Sequence, residues 1–232
     1  MADVAIISAI YGDYDIIKAP IKLVGLDVEW ILVTDQQLLI DEQEALASLG
    51  SEFEYGNDKW KFIYSPSDEI PVRAAKMPKM LPWRFTDAPA SIWIDSSCQV
   101  FSPSFAAESV SYTSPTTPMA MFRHSRDCLY DEGNFSHAMF KYKDEPIPQQ
   151  LASYRAHGHP EHWGLWTATV IARQHTEFVK MISEDWYYEI DTWCHQDQIA
   201  LPYVLRNRNY RPNLFPGTSA YNSWLSWGLH RR

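Results

Sequence analysis

The 232-residue sequence has little cysteine, no excess of basic charge, no long apolar run and few glycines, and each shortage excludes a class of protein. Its three cysteines, Cys98, Cys128 and Cys194, are odd in number, far apart and contain no CxxC pair. That is no disulfide framework, and reduced thiols point to a reducing compartment, the cytoplasm. With 20 Lys and Arg against 29 Asp and Glu, the formal charge is −9. This argues against a broad face gripping phosphodiester backbones but leaves room for a small basic pocket. The opening stretch MADVAIISAIYGDYD has an apolar run of about seven residues and no basic segment before it, too short for a signal peptide or a membrane span. It predicts a buried first strand instead. After that strand AIYGDYD offers only Gly12, so the Gly-rich phosphate loop of a nucleotidyltransferase is missing. No repeat, low-complexity tract or linker divides the chain, which predicts one domain over residues 1–232.

Aromatic residues are abundant: ten Trp, thirteen Tyr and ten Phe. They serve packing first, and their faces also suit sugar rings. The order of elements is legible in the pattern. Continuous apolar runs at 4–10 (VAIISAI) and 30–33 suit strands covered on both faces, the second ending at Thr34 and Asp35. Residues 36–49 have helical spacing, with Gly50 as a stop signal. A strand at 61–64, a basic helix over 72–85 interrupted by Pro78 and Pro82, and a strand at 90–94 continue the alternation. Later come strands at 119–123 and 166–172, and helices at 134–142, 148–156, 176–188 and 196–206. A tail rich in Pro, Gly and Asn follows. This rhythm predicts an α/β fold with a mostly parallel sheet flanked by helices.

Such sheets bind ligands where loops converge at the carboxyl ends of the strands. Three early strands end in acids, Asp13, Asp35 and Asp95. The first two serve equally well as helix N-caps. Asp95 follows an apolar strand directly and precedes Ser96 and Ser97, small hydroxyl residues that leave space for a cation and a diphosphate. Arg73, Lys76 and Lys79 recur every three residues on the preceding helix. They form either a solvated basic face or, turned to the crevice, a set of charge-assisted donors to a diphosphate. Asp197 and Gln198 open a helix, where they can contact sugar hydroxyls or favour the helix start electrostatically. The segment HGHPEH, His157 to His162, imitates the HxHxDH spacing of dinuclear zinc hydrolases. It comes late, however, with few residues left for further ligands. His159 and Glu161 serve equally well beside an acceptor, in a loop that runs through Trp163 and Gly164 to the next strand.

Taken together, VAIISAIYGDYD, ILVTD, RAAKMPKMLPWRF, SIWIDSS, FRHSRDCLYDE, TATVIARQHT and CHQDQIALPYVL resemble, in order and spacing, a glycosyltransferase-like family. It includes plant seed-mucilage proteins and many bacterial and viral members and is related to GT-A enzymes. The resemblance runs from about Ala5 to Leu205 and rests on the combination of the Lys-Pro-Lys helix, SIWID, the HxRD segment and DQ. It implies a GT-A-like, Rossmann-like single domain that moves a sugar from a nucleotide-diphosphate donor, a UDP-sugar, to an acceptor hydroxyl. In that reading Ala9, Tyr11, Asp13, Asp35, Arg73, Lys76, Lys79, Asp95 and Ser97 bind the donor. His124, Arg126, His159, Trp163, Gly164 and Gln198 lie on the sugar and acceptor side, and Asp197 or Glu161 acts as base if the route inverts. The acceptor is a glycan, a protein or a modified nucleobase. The usual GT-A signature has two acids one residue apart, and here the second position is Ser97. The implied Mn²⁺ or Mg²⁺ therefore rests on Asp95, with His230 as a late ligand. The competing readings are a non-catalytic sugar-binding module and a metal-dependent hydrolase built on HGHPEH.

Overall fold

The computed structural model describes residues 1–48 and 59–227. The chain runs β1 (Val4–Ile10), β2 (Val28–Thr34), α1 (Gln37–Ser48), β3 (Trp60–Tyr64), α2 (Pro71–Ala74), α3 (Lys76–Met80) and β4 (Ala90–Ile94). It continues through β5 (Cys98–Val100), α4 (Phe105–Ser111), β6 (Met119–Arg123), α5 (Leu129–His137), α6 (Ile147–Ala156) and β7 (Trp166–Gln174). It ends with α7 (Glu177–Thr192), α8 (Asp197–Asn207), β8 (Asn213–Leu214) and β9 (Leu225–Trp227). Seven strands form one sheet in the order β3-β2-β1-β4-β7-β6-β8, and β5 and β9 form a small second sheet. In the large sheet β7 alone runs against the rest, pairing antiparallel with β4 and with β6.

The continuous apolar strands are explained by burial on both faces. Along β1 every residue is buried, and the pleat divides them: Ala5, Ile7 and Ala9 belong to one core, Val4, Ile6 and Ile10 to the other. β2, β4 and β6 repeat the division, with Ile31, Trp93 and Met121 on the first side and Leu32, Ile92 and Phe122 on the second. The first core is closed by Met80 of α3, by Val179, Ile182 and Trp186 of α7 and by Leu201 of α8. The second is closed by Phe105 of α4 and by Phe215 and Trp224 of the C-terminal segment. Each such fully buried side chain contributes about 1.5–3 kcal/mol. Most of the tryptophans noted in the sequence are thus packing residues: Trp224 meets Phe105, Phe122 and Phe215 edge-on or tilted at 5.2 to 6.1 Å.

Two elements differ from expectation. The basic helix expected over 72–85 is broken into α2, α3 and a 3₁₀ turn at Pro82–Arg84. Pro78 has no N–H to give the Ala74 carbonyl and crowds it, which breaks the helix at Ala75, and Pro82 ends the second piece. The helix expected over 134–142 begins earlier, at Leu129. Gly133 sits inside α5, where a β-carbon would meet Leu151 of α6. The short elements β5, α4, β8 and β9 were not anticipated.

No described helix is long and apolar enough to cross a membrane. The three cysteines are free and buried, and burial pushes the Cys98 and Cys194 thiols up to about 12. His230 lies outside the described residues.

Candidate active site

After β1 the chain adds β2 and β3 on one side, then returns to add β4 on the other, so the order of strands reverses beside β1. Loops leaving the carboxyl ends of β1 and β4 separate there and leave a crevice. A cavity of about 630 Å³ occupies it. Ala9 and Tyr11 come from the end of β1, Trp93, Asp95 and Ser96 from the end of β4, and Thr167 and Thr169 from the start of the antiparallel β7.

Asp95 is fixed by its neighbours. Its N–H donates to the Thr169 carbonyl, and its Oδ1 accepts from the Trp93 indole at 2.7 Å and from Lys79 Nζ at 3.1 Å. No described residue donates to Oδ2, and the side chain is 37% exposed. Lys79 Nζ also lies 2.7 Å from Asp197 Oδ2, and Lys76 Nζ lies 2.8 Å from the same oxygen. Two lysines and two aspartates therefore form one network on the cavity wall. Asp197 is the first residue of α8, where the helix dipole favours a negative charge. Burial alone would raise its carboxyl, but Lys76 and Lys79 outweigh that and hold it well below the usual range. For Lys79 burial acts downward, yet the two carboxylates prevail and its ammonium is held above its ordinary value. Burial wins at Lys76, and its ammonium is pushed below.

Of the other residues predicted for the site, His124 and Gln198 also line the cavity. His124 Nδ1 accepts from the Arg126 N–H at 3.0 Å, so the neutral ring carries its proton on Nε2, and burial lowers its basicity. Gln198 Oε1 accepts from the Ala168 N–H.

The remaining predicted residues that the structure describes do not line the cavity. Asp35 Oδ1 accepts from Gly12 N–H at 2.9 Å and steadies the loop after β1, while Asp13 is exposed on that loop. Arg73 bonds Glu145 at 2.8 Å and the carbonyls of Ile190 and Trp193. Ser97 is buried behind Asp95. Arg126 pairs with the buried Glu132 at 2.8 Å. Glu161 is 63% exposed beside Arg155, at 3.6 Å. His159 is buried against Trp163, which also meets Trp166 and the Arg211 guanidinium. Gly164 donates to the Asp127 carbonyl. His157 contacts Tyr203 and His162 contacts Asp127, so HGHPEH does not gather its histidines around one point.

Several lining residues escaped the sequence reading. Arg123 and Lys141 project here with no carboxylate within ion-pair distance among the described residues. Tyr14, Tyr221 and Trp227 form exposed aromatic positions at the rim. Behind the wall, Glu145 binds Arg73 and His195, and Glu132 binds Arg126 and Gln196. No local spacing marks these contacts; of the two acids, Glu132 stands inside FRHSRDCLYDE and Glu145 lies outside every segment of the resemblance.

Comparison with known families matches residues 1–221 to the TOD1/MUCI70 glycosyltransferase-like domain. The chain belongs to this family. As a TOD1/MUCI70 domain it shares its fold with two glycosyltransferases of known structure. Apo mouse xyloside xylosyltransferase 1 superposes with a TM-score of 0.51 at 9% identity, over 92% of this chain and 85% of that one. The apo WbbM bifunctional glycosyltransferase gives 0.51 at 12% identity, over 93% of this chain and 39% of its own. Comparison with curated protein sequences finds no match. The seven-stranded sheet of this TOD1/MUCI70 chain thus has the GT-A arrangement.

Proposed function

We propose that the protein transfers a sugar from a nucleotide-diphosphate donor, a UDP-sugar, to an acceptor hydroxyl. One observation carries this reading: among the described residues four basic side chains, Lys76, Lys79, Arg123 and Lys141, line the switch-point cavity against two carboxylates, Asp95 and Asp197. That leaves a balance of +2 inside a chain whose formal charge is −9. The charge is fixed before the ligand arrives, which favours a leaving diphosphate without reorganisation. Among the described residues Arg123 and Lys141 have no carboxylate partner and can bind phosphate oxygens, and Lys79 holds Asp95 in the same cavity.

The donor set at Asp95 fits a divalent cation of the Mg²⁺ or Mn²⁺ kind, which takes one or two carboxylates and completes its shell with phosphate oxygens and water. Asp95 Oδ2 would hold it, the Ser96 hydroxyl lies within the same cavity, and the ion would supply further neutralisation of the diphosphate. Ser97, buried behind, takes no part.

The two carboxylates that line the cavity are both held by lysine, and a carboxylate held as low as Asp197 is a poor proton acceptor. This supports a retaining route. The acceptor oxygen bonds the anomeric carbon on the face the diphosphate leaves, the electron pair of the broken C–O bond goes to the diphosphate, and the acceptor proton passes to a leaving phosphate oxygen. Lys76 and Lys79 neutralise the developing charge, and Asp197 positions them. Tyr221 and Trp227, 84% and 56% exposed, offer flat faces at the rim that favour a glycan acceptor. The buried free thiols favour a reducing compartment, the cytoplasm.

The test is a panel of nucleotide sugars and free nucleoside diphosphates, read by thermal shift with and without Mn²⁺ and by sugar transfer or donor hydrolysis. Asp95→Asn is expected to lower turnover at least about a hundredfold. A loss below tenfold in folded protein would remove Asp95 from the donor site. NMR of the product is expected to show the donor's anomeric configuration kept; inversion would overturn the retaining route and return the base to Asp197. No stabilisation by any nucleotide would favour a sugar-binding module.

A further inference from the structure

The segment that follows β6 supplies Arg123, His124 and Ser125 to the cavity wall and then turns into α5 at Cys128. The loop before β7 packs against it, with Gly164 N–H bonded to the Asp127 carbonyl and His124 N–H to the Leu165 carbonyl. Where the two meet, Cys128 Sγ, a carboxylate oxygen of Asp131 and a ring nitrogen of His162 lie within 4.8 Å of one another. These residues have no role in the transfer chemistry above. We propose that Cys128, Asp131 and His162 form a transition-metal site, with Zn²⁺ as its ion, that clamps the two loops behind the cavity wall.

The donor set selects the metal. A thiolate with an imidazole and one carboxylate suits Zn²⁺ and is a poor match for Mg²⁺, Ca²⁺ or Mn²⁺, which take oxygen. In tetrahedral zinc geometry, bonds of about 2.0–2.3 Å place neighbouring ligand atoms roughly 3.5 Å apart. The present spacing therefore needs a contraction on the order of an ångström. Asp131 and His162 are exposed and can supply it by changing rotamer, while Cys128 is buried and fixed. His162 Nδ1 is engaged at 2.7 Å by Asp127 Oδ1, which leaves Nε2 for the metal. A carboxylate that holds the other nitrogen of a ligating imidazole is the usual outer support of such sites. His162 also has a φ of +53°, in the left-handed region that a β-carbon disfavours. An exposed His–Asp pair alone contributes little to offset that strain. Binding would release the thiol proton to solvent, so affinity rises with pH. Three protein ligands leave the fourth position to water. This site differs from the zinc hydrolase pattern of HGHPEH: it uses one histidine of that segment and takes its other ligands from α5 and the residue before it.

The experiment uses the full chain, freed of metal by a chelator and titrated with Co²⁺, whose bond to a thiolate gives a charge-transfer absorption band. One equivalent should bind with that band and be displaced by Zn²⁺. Cys128→Ser should abolish the band, and His162→Ala and Asp131→Asn, both exposed and safe for folding, should weaken binding at least about a hundredfold. Asp127→Asn should weaken it about 10–100-fold. His157→Ala should leave it unchanged. Absence of the band in the wild-type protein, or binding indifferent to His162→Ala and Asp131→Asn, overturns the proposal. So does binding that depends on His157.

Discussion

Lys79 Nζ lies 2.7 Å from Asp197 Oδ2, joining a helix that enters the cavity early in the chain to one that closes it near the end. Both side chains are almost wholly buried, and Asp197 is shared with Lys76. The predictions below concern this network and the elements that hold it.

Lys79→Met leaves Asp95 without its ammonium and Asp197 with Lys76 alone. Breaking a buried pair costs about 3–5 kcal/mol when a charge is left bare, and the remaining lysine puts this variant at or below the low end of that range. Lys76→Met should destabilise less, because burial holds the Lys76 ammonium below its ordinary value while that of Lys79 is held above. Urea unfolding of the two variants checks the order. Transfer activity should fall at least about a hundredfold for Lys79→Met.

Acid should attack the same network. The Asp197 carboxyl is depressed in the folded state, so the stability it contributes is full above its unfolded value of about 3.9 and is lost as pH falls through and below that value. Asp197→Asn removes this contribution. The variant should be less stable than wild type at neutral pH, and the gap should narrow as pH drops below about 4. A gap that stays constant under acid would show that Asp197 is not the linked group.

Two histidines set a milder pH dependence. Burial pushes His159 and His175 down to about 4, against about 6.5 unfolded. Their neutral forms fit the fold, so stability is full above about pH 6.5 and declines as pH falls toward 4. Among the described residues the buried Nδ1 of His159 has no hydrogen-bond partner. His159→Phe should therefore flatten part of the slope between pH 6.5 and 4 in urea or thermal unfolding, and His175→Gln should flatten it further.

The segment over the cavity mouth depends on Gly217. Its φ is +78°, and a β-carbon there would strike the carbonyl oxygen of Tyr221, which accepts from the Thr218 N–H in the turn lining the cavity. Gly217→Ala should cost more than about 1–2 kcal/mol of backbone strain or open the turn. Weaker stabilisation by nucleoside diphosphate, with the rest of the fold intact, would be the signature in a thermal shift assay.

Buried Arg173 holds α3 in place. Its guanidinium has no carboxylate partner among the described residues; it donates to the carbonyls of Lys79 at 2.7 Å and Met80 at 3.4 Å, which end that helix, and burial lowers it to about 9. Arg173→Met should destabilise by about 2–3 kcal/mol through the orphaned carbonyls. It should lower activity beyond that loss by releasing Lys79, and kinetics at a temperature where the variant is folded would separate the two effects.

Much of the scaffold was legible because local pattern and tertiary burial agree. The runs at 4–10 and 90–94 are apolar at every position since both sheet faces are covered, and Asp95 is conspicuous as the first charge after such a run. Asp95, Lys76, Lys79, His124, Asp197 and Gln198 are candidate site residues in the sequence and meet in one cavity. Helix and strand periods are properties of neighbouring residues, so the sequence by itself determined the alternation of elements, the buried faces and the family. Which side chains meet was decided only by the tertiary structure. Spacing on the basic helix treats Arg73, Lys76 and Lys79 alike, but the break imposed by Pro78 sends Arg73 to Glu145 and the two lysines to Asp197. Arg123 and the turn at Thr218–Tyr221 enter the site through pairings between distant segments, β6 with β8 and β5 with β9, too short to leave a periodic trace, and Lys141 enters from the 3₁₀ turn Phe140–Tyr142 between α5 and α6. Glu161 and Asp13 have the same chemistry as Asp95 in the sequence and lie away from the cavity. Their difference is one of position, which local pattern does not encode.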